Sequence, residues 1–272
     1  MTKKNKSAIQ RRLIPTYIFL IIVSFISVFP LYWMISAATN TSTDVSRGRI
    51  IPGSYFMENF RNLTSQQPLW RALGNSFFYA ILTTVICLLV CSIAGYGFEV
   101  YHDKWKDRVF SILLLAMMVP QVATMVPLFK MFSKAGLLNT AVGFILPIIS
   151  TPFMIMMFRQ NARSFPVDII EAARIDGLNE VRIFFQMFIP TMKSTYAAAA
   201  VITFMNAWNS YLWPKVIMTD NKAMTMPMLI ANLITGYVTD YGMLMCGVLF
   251  CSIPTMIVFL SLIHISEPTR PY

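Results

Sequence analysis

Glu171, Arg174 and Asp176 are the residues of this 272-residue chain best placed to do chemistry, within Glu171-Ala172-Ala173-Arg174-Ile175-Asp176-Gly177, with Ile189-Pro190 following. The segment is charged and helix-forming, yet runs without any charge lie to either side of it. Carboxylate and guanidinium groups on a short exposed helix form charge-assisted hydrogen bonds with a second surface. They do not amount to a constellation for making or breaking covalent bonds. The chain has no HExxH, no GxSxG and no metal-spaced His/Cys cluster. It also has no GxxxxGK[ST] loop to cradle nucleotide phosphates. The expectation is a non-catalytic protein that binds no cofactor and no metal of its own.

The elements that position these residues can be read from spacing. Pro166 precedes a helix start, and Asp168 is placed to cap it or to favour its positive end. Ile169, Ile170, Ala172, Ala173 and Ile175 are expected to form its apolar face, leaving Glu171, Arg174 and Asp176 polar. Gly177 fits a left-handed helix stop. Asn179 then caps a second helix whose Val181, Phe184, Phe185 and Phe188 share one face, and Pro190 is expected to end it. On the residues alone two readings stay open: an amphipathic hairpin resting on lipid, or a docking element for a partner protein.

Composition places the rest of the chain in a bilayer. Hydrophobic residues make up 56% and charged residues 12%, and the mean hydropathy is +0.60, outside the usual range of soluble domains. Leu13–Thr43, Ala72–Phe98, Val109–Phe129, Thr140–Phe158, Ser194–Pro214 and Tyr241–Ser266 contain no Asp, Glu, Lys or Arg. Each is long enough to cross a hydrocarbon layer roughly 30 Å thick. The expected fold class is an all-α membrane protein with six transmembrane helices. A soluble bundle would need charged outer faces that these stretches lack.

Basic residues set the orientation. With the N-terminus inside, the segments 1–12, 99–108, 159–193 and the tail hold 14 of the 22 Lys/Arg, so both termini are expected in the cytoplasm of a bacterial inner membrane. The net charge of +10 is then a topology signal and a match to anionic lipid, not a nucleic-acid patch. The expected organisation is a cytoplasmic segment 1–12, a first span 13–38, an outside loop 39–71, a core 72–263 containing the polar loop 166–190, and a tail 264–272. The apolar run after Met1–Arg12 extends to Ala38, so an uncleaved first helix is expected over a signal peptide. Cys87, Cys91, Cys246 and Cys251 all fall in predicted spans and read as small packing residues.

Pro120, Pro127, Pro147 and Pro152 lie in two consecutive spans, where they either bend helices around a pathway or are simple packing irregularities. Asn206 and Asn209 lie three apart on one helical face, with Tyr211 adjoining them as a further candidate pathway-lining residue, near Trp208 and Trp213. They either line a polar route or hydrogen-bond to a neighbouring helix. The Trp/Tyr cluster suits a membrane–water boundary. Ion-coupled carriers usually hold ionisable groups at membrane depth. No Asp, Glu, Lys or Arg lies inside these spans, and the nearest His, His264, is at the end of the last, so the energy for uphill movement has to arrive from another subunit.

Glu171-Ala172-Ala173, Gly177 and Ile189-Pro190 resemble the EAA loop of permease subunits of binding-protein-dependent ABC importers. Asn75-Ser76, Met118-Val119-Pro120-Gln121, Pro127-Leu128-Phe129, Asn139-Thr140, Phe165-Pro166 and Trp208–Pro214 extend the resemblance to the MalG-like, carbohydrate-uptake branch. The resemblance covers roughly residues 10–263. It implies a type I importer permease fold whose EAA helix fits a cleft on an ABC ATPase dimer carrying ATP and magnesium. Glu171 would pair with a basic group there, Ala172 and Ala173 would permit close approach, Gly177 would set the turn, and Asp176 would belong to the same coupling surface. It further implies a second permease subunit completing a heterodimer, and an extracytoplasmic solute-binding protein docking near Thr235, Gly236 and Tyr237. The solute implied is a sugar, with glycerol phosphate or an amino acid as alternatives and a stand-alone carrier as the rival class. Ser266–Tyr272 does not match the family's usual ending and is expected to be foreign sequence after a truncated frame.

Overall fold

The computed structural model describes residues 3–235 and 239–266, and every regular element among them is helical. The order is α1 (Lys3–Ala38), α2 (Ser42–Ser46), α3 (Phe56–Gln66), α4 (Leu69–Val100), α5 (Lys104–Ala116) and α6 (Gln121–Lys134). There follow α7 (Ala141–Ile145), α8 (Pro152–Ala162), α9 (Val167–Ile175) and α10 (Glu180–Ile183), then a π-helical turn (Phe184–Phe188). The chain continues through α11 (Ile189–Thr191), α12 (Lys193–Trp208), α13 (Leu212–Ile217), α14 (Met226–Ile234) and α15 (Tyr241–Ser266).

Three helices are long and apolar enough to cross a membrane: Leu13–Ala38, Leu69–Val100 and Tyr241–Ser261. The predicted third span is instead the pair α5–α6, bent by 100°, which makes a fourth crossing if the two are one span. Proline explains the break. Pro120 stands at the N-cap of α6 with ψ 128°, it has no N–H to continue a ladder, and it pushes Val119 out of the helical region. The predicted fourth span is likewise interrupted, by turns between α7 and α8, with Pro152 in the first turn of α8. The predicted fifth ends as a regular helix at Trp208, after 16 residues.

Packing divides the chain into two compact units, Met1–Gln67 with Asn232–Phe250, and Pro68–Ala231 with Cys251–Tyr272. In the first unit, α1 presents a largely exposed apolar surface, while the segment after it is held by amides. The Asn40 Nδ2 donates to the carbonyls of Ser36 and Ile51, both at 2.9 Å. The Asn59 Nδ2 donates to the carbonyls of Ala38 and Asn40, both at 2.9 Å. A side chain at Gly242 would lie 2.7 Å from the Asn40 carbonyl oxygen, so only glycine lets α15 start this close. These bonds satisfy backbone carbonyls that irregular chain leaves open.

In the second unit α4 is central, and α8 and α12 pack along it. Small residues permit this: Gly95 of α4 meets Phe158 and Arg159 of α8, and Ala199 of α12 is fully buried. Cys87 and Cys91 are free, buried thiols with Sγ atoms 3.7 Å apart in the same packing region. Trp208 and Trp213 are packed inside the protein. Their indole N–H groups donate to the carbonyls of Cys251 (3.0 Å) and Gly143 (3.1 Å). A buried indole needs such an acceptor.

Candidate functional site

The charged segment forms helix α9, stopped by a six-to-one and five-to-two pair of hydrogen bonds. The Leu178 N–H donates to the Ala173 carbonyl at 3.0 Å and the Gly177 N–H to that of Arg174 at 3.1 Å. Gly177 has φ +79°, the left-handed conformation this stop requires. Asn179 caps α10 through its Oδ1, which accepts from the Arg182 N–H at 2.8 Å. Asp168 sits in the first turn of α9, while the N-cap position belongs to Pro166 and has no side-chain hydrogen bond.

The apolar residues of the hairpin split differently from the expectation. Ile170 and Ala173 of α9 turn inward, and with Ile183, Phe184 and Phe188 they pack on Tyr96, Ala162, Phe165 and Met192. Ile169, Ala172 and Ile175 are exposed, Ile175 to 85%, as are Val181 and Phe185. Two residues three apart are enough to seat a two-turn helix, so the rest of the apolar set stays on the outer face. Glu171 and Asp176 lie on that outer face as well, with no ion partner among the described residues. Pro190 does not end the second helix. The preceding π turn, in which the Ile189 N–H reaches back to the Phe184 carbonyl, absorbs the proline, and the helical ladder resumes through Met192 and Tyr196.

Arg174 and Glu180 tie the two arms together, Nε to Oε1 at 2.8 Å, and the Tyr101 hydroxyl donates to Glu180 Oε2 at 2.5 Å. The Arg174 guanidinium first, and the Tyr101 hydroxyl second, hold the Glu180 carboxyl below its ordinary range. A lowered folded value stabilises the hairpin above the ordinary carboxylate pKa of about 4 and loses that contribution as pH falls through the depressed value. Both side chains are more than a third exposed, so the effect is modest. Amide exchange over residues 165–191, corrected for its intrinsic pH dependence, should be flat from about pH 8 to 5 and rise below about pH 4. Glu180→Gln should remove the step.

Asn206, Asn209 and Tyr211 come together on the wall of a cleft of about 780 Å³ in the second unit, formed by the end of α5, α6, the 147–152 turn, the end of α12 and α13. The Asn209 Nδ2 donates to the Met205 carbonyl of its own helix at 2.9 Å. Asn206 is exposed and makes no hydrogen bond to another described residue. Thr235 is exposed and donates to the Asn232 carbonyl at 3.0 Å, while Gly236 and Tyr237 lie outside the described residues.

The family described as binding-protein-dependent transport system inner membrane component matches residues 91–270, a stretch that holds both the hairpin and the cleft. The chain belongs to that family. This inner membrane component is 40% identical over 258 residues to the lactose transport system permease protein LacG of Rhizobium radiobacter, covering 94% of each chain. It is 36% identical over 243 residues to the arabinooligosaccharides transport system permease protein AraQ of Halalkalibacterium halodurans, covering 88% of this chain and 87% of that one. Its fold is that of a chain of a bacterial ABC transporter involved in the import of the acidic polysaccharide alginate. The TM-score is 0.85 over 98% of this chain and 99% of the other, at 18% identity.

One cluster of this transport component escaped the sequence reading. Arg159 is 5% exposed. Its Nε pairs with Glu99 Oε2 at 3.2 Å and its Nη2 with Asp107 Oδ1 at 2.6 Å, and its guanidinium carbon lies 4.3 Å from the centre of the Phe110 ring. Arg163 reaches the same Glu99 oxygen at 3.4 Å, and His102 reaches Asp107 at 2.9 Å. On the sequence these residues were only loop charges. The available signal was an arginine one helical turn after Ile155, on the face that Phe158 also buries.

Proposed function

We propose that this chain is the transmembrane permease subunit of an ATP-driven sugar importer, supplying one half of a pathway whose other half is a second, similar permease. The relatives named for lactose and arabinooligosaccharide transport support a sugar as the solute. Six crossings with both termini in the cytoplasm remain the proposed topology, the broken helices α5–α6, α7–α8 and α12–α13 completing the count. ATP and its magnesium belong to the partner ATPase, and an extracytoplasmic solute-binding protein delivers the sugar.

The observation that carries the reading is the outer face of α9. It is held by a buried aromatic base yet presents Glu171, Ala172, Ile175 and Asp176 outward, a small charged and apolar surface on a rigid support. Such a surface suits a protein cleft better than lipid, because Glu171 and Asp176 add negative charge to a face that would meet anionic head groups. The test is Glu171→Arg in the complex assembled with ATPase, second permease and binding protein. ATP-driven uptake should fall more than tenfold and the ATPase should no longer co-purify, while the amount of chain in the membrane stays unchanged. Normal uptake by this variant removes the coupling assignment.

A further inference from the structure

The lining of the cleft points to the kind of solute it takes. Its polar side chains are Gln121, Thr124, Thr151, Asn206, Ser210, Tyr211 and Asn209, whose Nδ2 already donates once to its own helix, and no Asp, Glu, Lys, Arg or His is among the described residues around it. Amides and hydroxyls each offer both a donor and an acceptor, the pattern of a sugar hydroxyl. Trp213, 3% exposed, stiffens this wall from behind, locked by its hydrogen bond to Gly143 and by the edge-on ring of Phe132 at 5.4 Å. Apolar walls with a few convergent polar groups suit the CH faces of a carbohydrate. An anion entering this cleft gives up hydration and meets no cation in return, which is costly in a low-dielectric site.

We infer that this chain's side of the pathway accepts neutral polyhydroxylated solutes and discriminates against anionic ones such as uronates and sugar phosphates. The inference rests on the importer reading above. The fold does not dictate it, since the alginate importer shares the architecture and is named for an acidic polysaccharide; the side chains of the cleft do.

The experiment places a thiol in the cleft by Asn206→Cys, a position with no hydrogen bond to lose, in the assembled transporter in membrane vesicles. Two methanethiosulfonates are compared, a neutral hydroxyethyl and an anionic sulfonatoethyl reagent. With each, the cysteine sulfur forms a mixed disulfide, methanesulfinate leaves and the thiol proton passes to solvent. Wild-type transporter is the blank for the native cysteines, and Ser133→Cys, on the exposed face of α6, is the open reference. The neutral reagent should react at least about tenfold faster at 206 relative to its advantage at 133, a difference of about 1.4 kcal/mol. Lactose and arabinose should slow the reaction at 206, and galacturonate and glycerol 3-phosphate at the same concentration should not. An equal reagent ratio at the two positions, protection by the anions, or protection by none of the four overturns the inference. Failure of the importer reading shows separately, as no ATP-driven sugar uptake by the unmodified assembled transporter, and leaves the reagent ratio untouched.

Discussion

Gly95→Ala is expected to destabilise the protein by about 2 kcal/mol, although alanine is the better helix former by about 1 kcal/mol. The new Cβ would sit 2.6 Å from the Phe158 Cβ, 2.8 Å from the Arg159 backbone nitrogen and 3.0 Å from the Phe158 carbonyl carbon. Two of these neighbours are backbone and cannot rotate away, so α4 and α8 must separate. Overpacking of this kind costs about 1–3 kcal/mol, and the rigid partners place it at the upper end, where it outweighs the gain in propensity. Separation also loosens the Glu99–Arg159 pair, whose partners stand on the same two helices. The check is the thermal midpoint of the purified protein in detergent, with Gly97→Ala as control, because a Cβ at Gly97 meets nothing within 4 Å. Equal midpoints for the two variants remove the close-crossing argument.

Arg159→Met is expected to cost about 3 kcal/mol, the lower part of the range for breaking a buried ion pair. The reason is what it leaves behind. Glu99 and Asp107 lose the cation that both face, and Glu99 is only 23% exposed. The lower end applies because Arg163 still reaches Glu99 and His102 still reaches Asp107. Arg159→Lys should fall between wild type and Met, since a single ammonium cannot span two carboxylates as a forked guanidinium does. Removing both acids first, with Glu99→Gln and Asp107→Asn, should shrink the cost of Arg159→Met. Additive losses across this cycle show that the three residues do not act together.

The contrast between these two sites explains what the sequence conveyed. The turn at Gly177 and the cap at Asn179 were legible because each follows from the conformation or hydrogen bonding of one residue. Helix content was legible for a similar reason, since charge-free runs of this length have few alternatives. The inward set of the hairpin was not. Ile169, Ile170, Ala172, Ala173 and Ile175 are equally apolar, and only the position of Tyr96 and Phe165 decides that Ile170 and Ala173 are the ones buried. Arg159 was opaque for the same reason, because its partners lie 52 and 60 positions away. Proline fell between: Pro120 broke its helix as its chemistry dictates, whereas Pro190 was absorbed by a π turn that no single residue announces.

That π turn carries the helical ladder from Glu180 past Pro190, and Met192, with φ −92° and ψ 20°, is the joint at which α12 begins. The hairpin's second arm begins this helical stretch, and Asn206 stands near its end. Wide turns of this kind hold one residue more than the helix around them needs. Moving that surplus along the stretch would turn the residues it passes by about 100°, the angular step of a single residue, and leave the two ends as they are. The side chains between the hairpin and the cleft are therefore the ones whose facing such a shift would change.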